Sequence, residues 1–145
     1  MAGGWTGFPA IAAHPWAYPA LEVVHIVGIA LLLGNLVLLE LRVWGLAPAL
    51  PLAALARAAI GLVLLGFALV VASGMTMFLG NPADLLANRA FGAKLTLVCA
   101  AGVNAALFHA RGGLARADAW ARAQTALSLG LWIGAIICGR WIAYL

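Results

Sequence analysis

The chain has 145 residues, 66% of them hydrophobic and 8% charged, with a net charge of +4. So few charges cannot cover a water-soluble domain of this size, whereas a bilayer removes the need for them. The eight Lys and Arg residues stand singly near the ends of apolar runs, which suits membrane orientation and argues against a nucleic-acid partner.

Residues 1–20 contain neither a basic n-region nor an apolar h-region. They read as an interfacial segment on the outer side rather than a cleavable signal. Pro9, Pro15 and Pro19 argue against a regular helix throughout this stretch. A span needs about 20 apolar residues as a helix. Four runs meet that length, over 21–41, 58–79, 89–109 and 123–143. The Gly80-Asn81-Pro82 sequence stops the second run, and Lys94 falls in the second turn of the third. The expected fold is all-α, an antiparallel four-helix bundle integral to the membrane, in which consecutive helices are neighbours.

The side bearing the first and third loops holds Arg42, Arg57, Arg111, Arg116 and Arg122, and the other side holds Arg89, Lys94 and Arg140. That bias puts both termini outside the cytoplasm. Trp5, Trp16, Tyr18, Phe78, Phe91, Trp141 and Tyr144 then mark an outer aromatic belt, and Trp44, Phe108 and Trp120 an inner one. In the fourth run, Ala126, Gly130, Gly134 and Cys138 recur at steps of four. Such a ridge of small residues lets another helix approach closely, within the chain or from a second copy. Gly139 lies off this ridge, and Ala30 and Gly34 form a weaker one on the first run.

Polar side chains are costly in a bilayer, so each raises a functional question. Counted from the span ends, Glu22, His25, Met75, Lys94, Cys138 and Arg140 fall in one layer below the outer surface. Glu22 precedes His25 by three residues, on one helix face, where a carboxylate can fix an imidazole tautomer. Met75 and Met77 are thioether donors of the kind that selects Cu(I), but about 200° separates them around the helix, so they cannot serve one centre together. Cys138 offers a thiolate or simply a small side chain, and Cys99 reads as core. Arg140 and Lys94 either reach outer headgroups or join a buried network with Glu22, or with a haem propionate. Asn35 and Asn104 suit interhelical hydrogen bonds, and Glu40 and Arg42 read as solvated at the inner interface. His25 and His109 differ in depth by about 24 Å. Within one chain they cannot flank one haem; a bis-His haem needs His25 with His14 or ligands from two chains, and His25 with Met75 is the other possible pair. No hydrolytic or transfer signature occurs, so an independent enzyme is not expected.

The stretches LEVVHIVGIALLLGNLVLLELRVWGL (21–46), NPADLLANRAFGAKL (81–95), AGVNAALFHA (101–110) and GRWIAY (139–144) resemble a family of small four-span bacterial inner-membrane proteins. A fainter likeness, confined to the first two runs, is to copper resistance protein D-like membrane proteins. It rests on His25 at the start of a span and a following Gly-containing run, with Gly28 or Gly34. The resemblance implies a site near His25 at the outer face of the cytoplasmic membrane.

Three functions follow as expectations. The first is metal or redox handling, copper foremost, at His25 and Glu22 with Met75 or Met77 and Cys138. The second is a haem b electron-transfer or anchor subunit using His25 with His14 or Met75, and Arg140 near the propionates. The third is a cofactor-free accessory subunit of a larger membrane complex, packing through the fourth-run ridge. The charge bias also makes a topological prediction: alkaline phosphatase fused to the C-terminus is active in a bacterial host, and activity only from a cytoplasmic reporter there contradicts it.

Overall fold

The computed structural model describes residues 7–145, apart from the side chain of Ala12; Trp5 lies outside the described residues. Among the described residues seven helices follow one another: α1 (Pro9–Ala13), α2 (Ala17–Val43), α3 (Leu52–Gly80), α4 (Pro82–Ala87), α5 (Arg89–Ala110), α6 (Gly113–Arg116) and α7 (Ala119–Trp141). Four of them, α2, α3, α5 and α7, are long and apolar enough to cross a membrane, at 27, 29, 22 and 23 residues. Even the shortest covers about 33 Å, enough for a hydrocarbon core of about 30 Å. Most of each span's residues are left facing outward, as lipid contact requires.

The spans start earlier than their apolar runs, at Ala17, Leu52 and Ala119 rather than at 21, 58 and 123. Helix formation needs only backbone and cap chemistry, so it runs past the hydrocarbon-matched stretch into the interface. At α5 the Asn88 side chain accepts from the backbone N–H of Ala90 and Phe91, and at α7 Asp118 accepts from Ala121. Pro9 stands at the start of α1, where its missing N–H costs nothing.

The helices pair as two hairpins. Helix α2 packs along α3, and α5 along α7, while contact between the two pairs is sparse and runs mainly from α2 to α7. The expected neighbourhood of the second and third spans is not found along their length. They meet through stacked Phe78 and Phe91 rings near the α4 turn, which carries the chain aside between them.

The closest crossing lies inside the first hairpin. A Cβ on Gly66 would lie 2.6 Å from the carbonyl oxygen of Gly28, and one on Gly28 would lie 2.9 Å from the carbonyl oxygen of Gly66. Backbone therefore lies on backbone, as small residues permit between membrane helices. Gly34, on the ridge expected for the first span, meets nothing within 4 Å.

The ridge of α7 divides. Ala126 and Gly130 face outward, and Gly130 has no neighbour within 4 Å, whereas a Cβ on Gly134 would lie 3.2 Å from Leu97. The buried face of α7 is instead Ala121, Gln124, Thr125, Ser128 and Ala135. Gly139, which lies off the ridge, borders Lys94, with an added Cβ 3.3 Å from Nζ. Helix α7 turns its small hydroxyl and amide side chains inward because outward they would face hydrocarbon unpaired.

At the loop end opposite α4, Val43, Phe108 and Ala121 form a small core flanked by Trp44, Leu114 and Ala117. The Trp44 indole donates to the Thr125 hydroxyl at 2.7 Å, tying α2 to α7. Trp44 and Phe108 thus serve bundle packing there.

The glycine crossing makes a stability prediction. Gly66→Ala forces the α2–α3 backbones apart and costs about 1–3 kcal/mol, the usual penalty of overpacking. Gly61→Ala, at a position with nothing within 4 Å, leaves the melting temperature in detergent unchanged. Equal melting of the two variants contradicts the crossing.

Candidate functional site

Two polar groups lie on the seam between the hairpins, one near each end, and both are anchored on α2. Near the outer end is His25. Its Nδ1 lies 2.9 Å from the Ser73 hydroxyl on α3, and its Nε2 lies 3.4 Å from Lys94 Nζ on α5. Ser73 spends its own proton on the Leu69 carbonyl oxygen at 2.6 Å. The Ser73 oxygen must then accept, which assigns the proton to His25 Nδ1 and leaves Nε2 to accept from Lys94. Two glycines make room for the pair. A Cβ on Gly74 would lie 3.2 Å from His25 Cε1, and one on Gly139 would lie 3.3 Å from Lys94 Nζ. Lys94 also lies within electrostatic reach of Cys138.

The structure therefore assembles part of the expected outer layer and disperses the rest. His25 and Lys94 come together, with Cys138 within electrostatic reach of Lys94. Glu22 is exposed and is not a partner of His25, although both share a helix face. Met75 is 54% exposed toward lipid, since Ser73 and Gly74 take the inward positions; Met77 is half-buried. Arg140 is exposed and donates to the Tyr144 hydroxyl at 2.8 Å. His14 is exposed in the bend before α2, with Nδ1 accepting from the Trp16 backbone at 3.3 Å. Cys99, read as core, is exposed.

These donors do not fit a copper centre. A cation at His25 needs a free ring nitrogen, yet Nδ1 is engaged by Ser73 and Nε2 faces the Lys94 amine. Among the described residues no three His, Cys, Asp or Glu side chains converge on a metal-sized point. Of the axial candidates for a haem, His14 is exposed in the bend, Met75 is exposed, and His25 has both ring nitrogens engaged.

The second group was not legible as a site in the sequence. Glu40, expected to be solvated, is 2% exposed, and neither of its carboxyl oxygens makes a hydrogen bond. Ser128 of α7 lies beside it across the seam, short of hydrogen-bond geometry. A cavity of about 60 Å³ adjoins them, lined also by Asn104, His109, Gln124 and Thr125. Asn104 Nδ2 donates to the Gln124 backbone carbonyl at 2.9 Å, the interhelical role expected of it. Asn35 instead donates to Leu31 in its own helix. Arg111 donates to the Gln124 side chain at 3.0 Å and pairs with Asp118 at 3.5 Å. A spacing signal existed: His25, Gly28, Leu32, Leu36, Glu40 and Val43 recur every three or four residues, so Glu40 falls on the inward stripe of α2.

Removing the hydroxyl under His25 tests the outer group. Ser73→Ala removes the hydroxyl that accepts from His25 Nδ1–H and costs about 1 kcal/mol, the net worth of one hydrogen bond. Glu22→Gln, at an exposed position, leaves thermal stability in detergent unchanged. A silent Ser73→Ala, or a destabilising Glu22→Gln, overturns the assignment of His25's partners.

Compared with known protein families, curated proteins and solved structures, the chain matches none.

Proposed function

We propose that this chain is an ion-handling membrane protein, a small carrier or the membrane unit of one, that binds a proton or small cation between two helical hairpins. One observation carries the reading: α2 turns an ionisable side chain into the same seam at each end, His25 against Lys94 and Glu40 against Ser128. The two lie 15 positions apart, about 22 Å along the helix. Ionisable groups are kept inside a membrane domain at a cost, and ion pathways are the usual reason for keeping them there.

The packing supports a working mode. The first hairpin is closely packed through its Gly28–Gly66 crossing and the second pairs along its length, while the seam between hairpins is thin. Rocking one hairpin on the other would expose one end of the seam at a time, the motion by which repeat-built carriers alternate access. The His25–Lys94 contact joins α2 to α5 and the Trp44–Thr125 bond joins α2 to α7, so each is a clasp that opens or holds one end.

The bacterial cytoplasmic membrane is the location proposed, with both termini on the periplasmic side as the basic-residue bias favours. Outward-facing Ala126 and Gly130 offer a surface through which a second copy or another membrane subunit would pack. The copper and haem readings draw no support from the donor geometry.

Ion flux into liposomes containing the purified protein tests the proposal, read by a pH-sensitive dye and by isotope uptake under an imposed gradient. The wild-type chain is expected to exceed empty liposomes, with Lys94→Met and Glu40→Gln each lowering flux at least about tenfold, the loss of a charge-assisted contact. Cys99→Ser, on the lipid face, leaves flux unchanged. Wild-type flux equal to that of empty liposomes for both protons and alkali cations refutes ion handling and favours the accessory-subunit reading.

A further inference from the structure

We infer that the cavity beside Glu40 is a binding site for a small monovalent cation, with sodium the ion that its oxygens, charge and size suit. The inference deepens the ion-handling reading and rests on it for its purpose, though not for the binding itself.

Charge balance comes first. Glu40 is 2% exposed and both carboxyl oxygens are unpaired. A buried carboxylate without a counter-charge is costly. Of the cations on the lining helices, Arg111 is held by the Gln124 side chain and Asp118, and Arg42 donates to the Leu50 carbonyl oxygen. His109 stands at the cavity rim, exposed. One monovalent ion would neutralise the carboxylate, whereas a divalent ion would leave an excess positive charge among Leu36, Leu39, Val43 and Phe108.

Donor chemistry agrees. Gln124 Oε1 and Thr125 Oγ1 are occupied by Arg111 and Trp44. The lining also offers the two oxygens of Glu40, which make no hydrogen bond, the Ser128 hydroxyl, and the side chain of Asn104, whose amide nitrogen donates to the Gln124 backbone carbonyl. These are hard oxygen donors from α2, α5 and α7, the type that binds alkali and alkaline-earth ions rather than transition metals. The cavity, about 60 Å³, holds an ion with a water to complete its shell. Bound there, the ion would pin the two hairpins together at the end opposite Lys94.

The test uses the full chain purified in detergent. Radioactive sodium binding is measured directly, and melting is compared in sodium chloride and in choline chloride at equal ionic strength. Expected are one sodium per chain and a melting temperature about 5 °C higher in saturating sodium. Ser128→Ala weakens sodium binding about tenfold, the loss of one ligand, and Glu40→Gln abolishes both effects. Absence of binding by the wild-type chain, equal melting in the two salts, or sodium binding that survives Glu40→Gln overturns the site. If Glu40→Gln fails to fold, the wild-type salt comparison and Ser128→Ala still decide. Proton flux that needs Glu40 without any sodium binding overturns the sodium site and leaves ion handling standing. Stoichiometric sodium binding without flux of any ion supports the site and overturns ion handling.

Discussion

Hydrocarbon offers no hydrogen bonds, so a polar side chain within a span must find its partner inside the protein or reach an interface. Every other feature of this fold follows from how that demand is met. The apolar mass of the four spans lies outward without penalty. Ser73, Asn104, Gln124, Thr125 and Ser128 are buried and turned toward other helices. Arg140 and Glu22, close to span ends, lie outward in the interface instead. The bundle is organised less by apolar burial than by where its few polar groups go.

This explains the unequal packing. Between helices in a membrane there is no hydrophobic driving force, so close packing needs small residues and specificity needs hydrogen bonds. The first hairpin uses small residues, with Gly28 and Gly66 in backbone contact. The seam between hairpins uses polar contacts: His25 with Lys94, and Trp44 with Thr125. A glycine crossing is fixed by shape. A polar contact that depends on a proton or an ion can be made and broken. The difference places rigidity within hairpins and adjustability between them.

The four spans were legible because length and hydropathy suffice to find them, and His25, Lys94 and Cys138 were legible as one layer because rise per residue is constant. What failed was azimuth. Depth does not say which way a side chain turns, so Met75 and Glu22 were grouped with His25 although one faces lipid and the other is exposed at the interface. Glu40 sits two residues before Arg42 near a helix end, which reads as a solvated pair; its place on the α2 stripe outweighs that proximity. Glycine recurs in every span, so the Gly28–Gly66 crossing could not be chosen over the four-spaced ridge of α7 without knowing which helices pair. The ridge packs within the chain only in part, with Gly134 against Leu97 and Gly130 outward, because small residues are also cheap facing lipid.

The claim that α2 presents its ionisable groups to the seam is tested most directly by nitrogen-15 magnetic resonance on His25 in lipid bilayers. The account predicts the tautomer protonated at Nδ1, with Nε2 accepting from Lys94 and its resonance moving in Lys94→Met. A proton on Nε2, or a His25 spectrum indifferent to loss of the Lys94 amine, would contradict it.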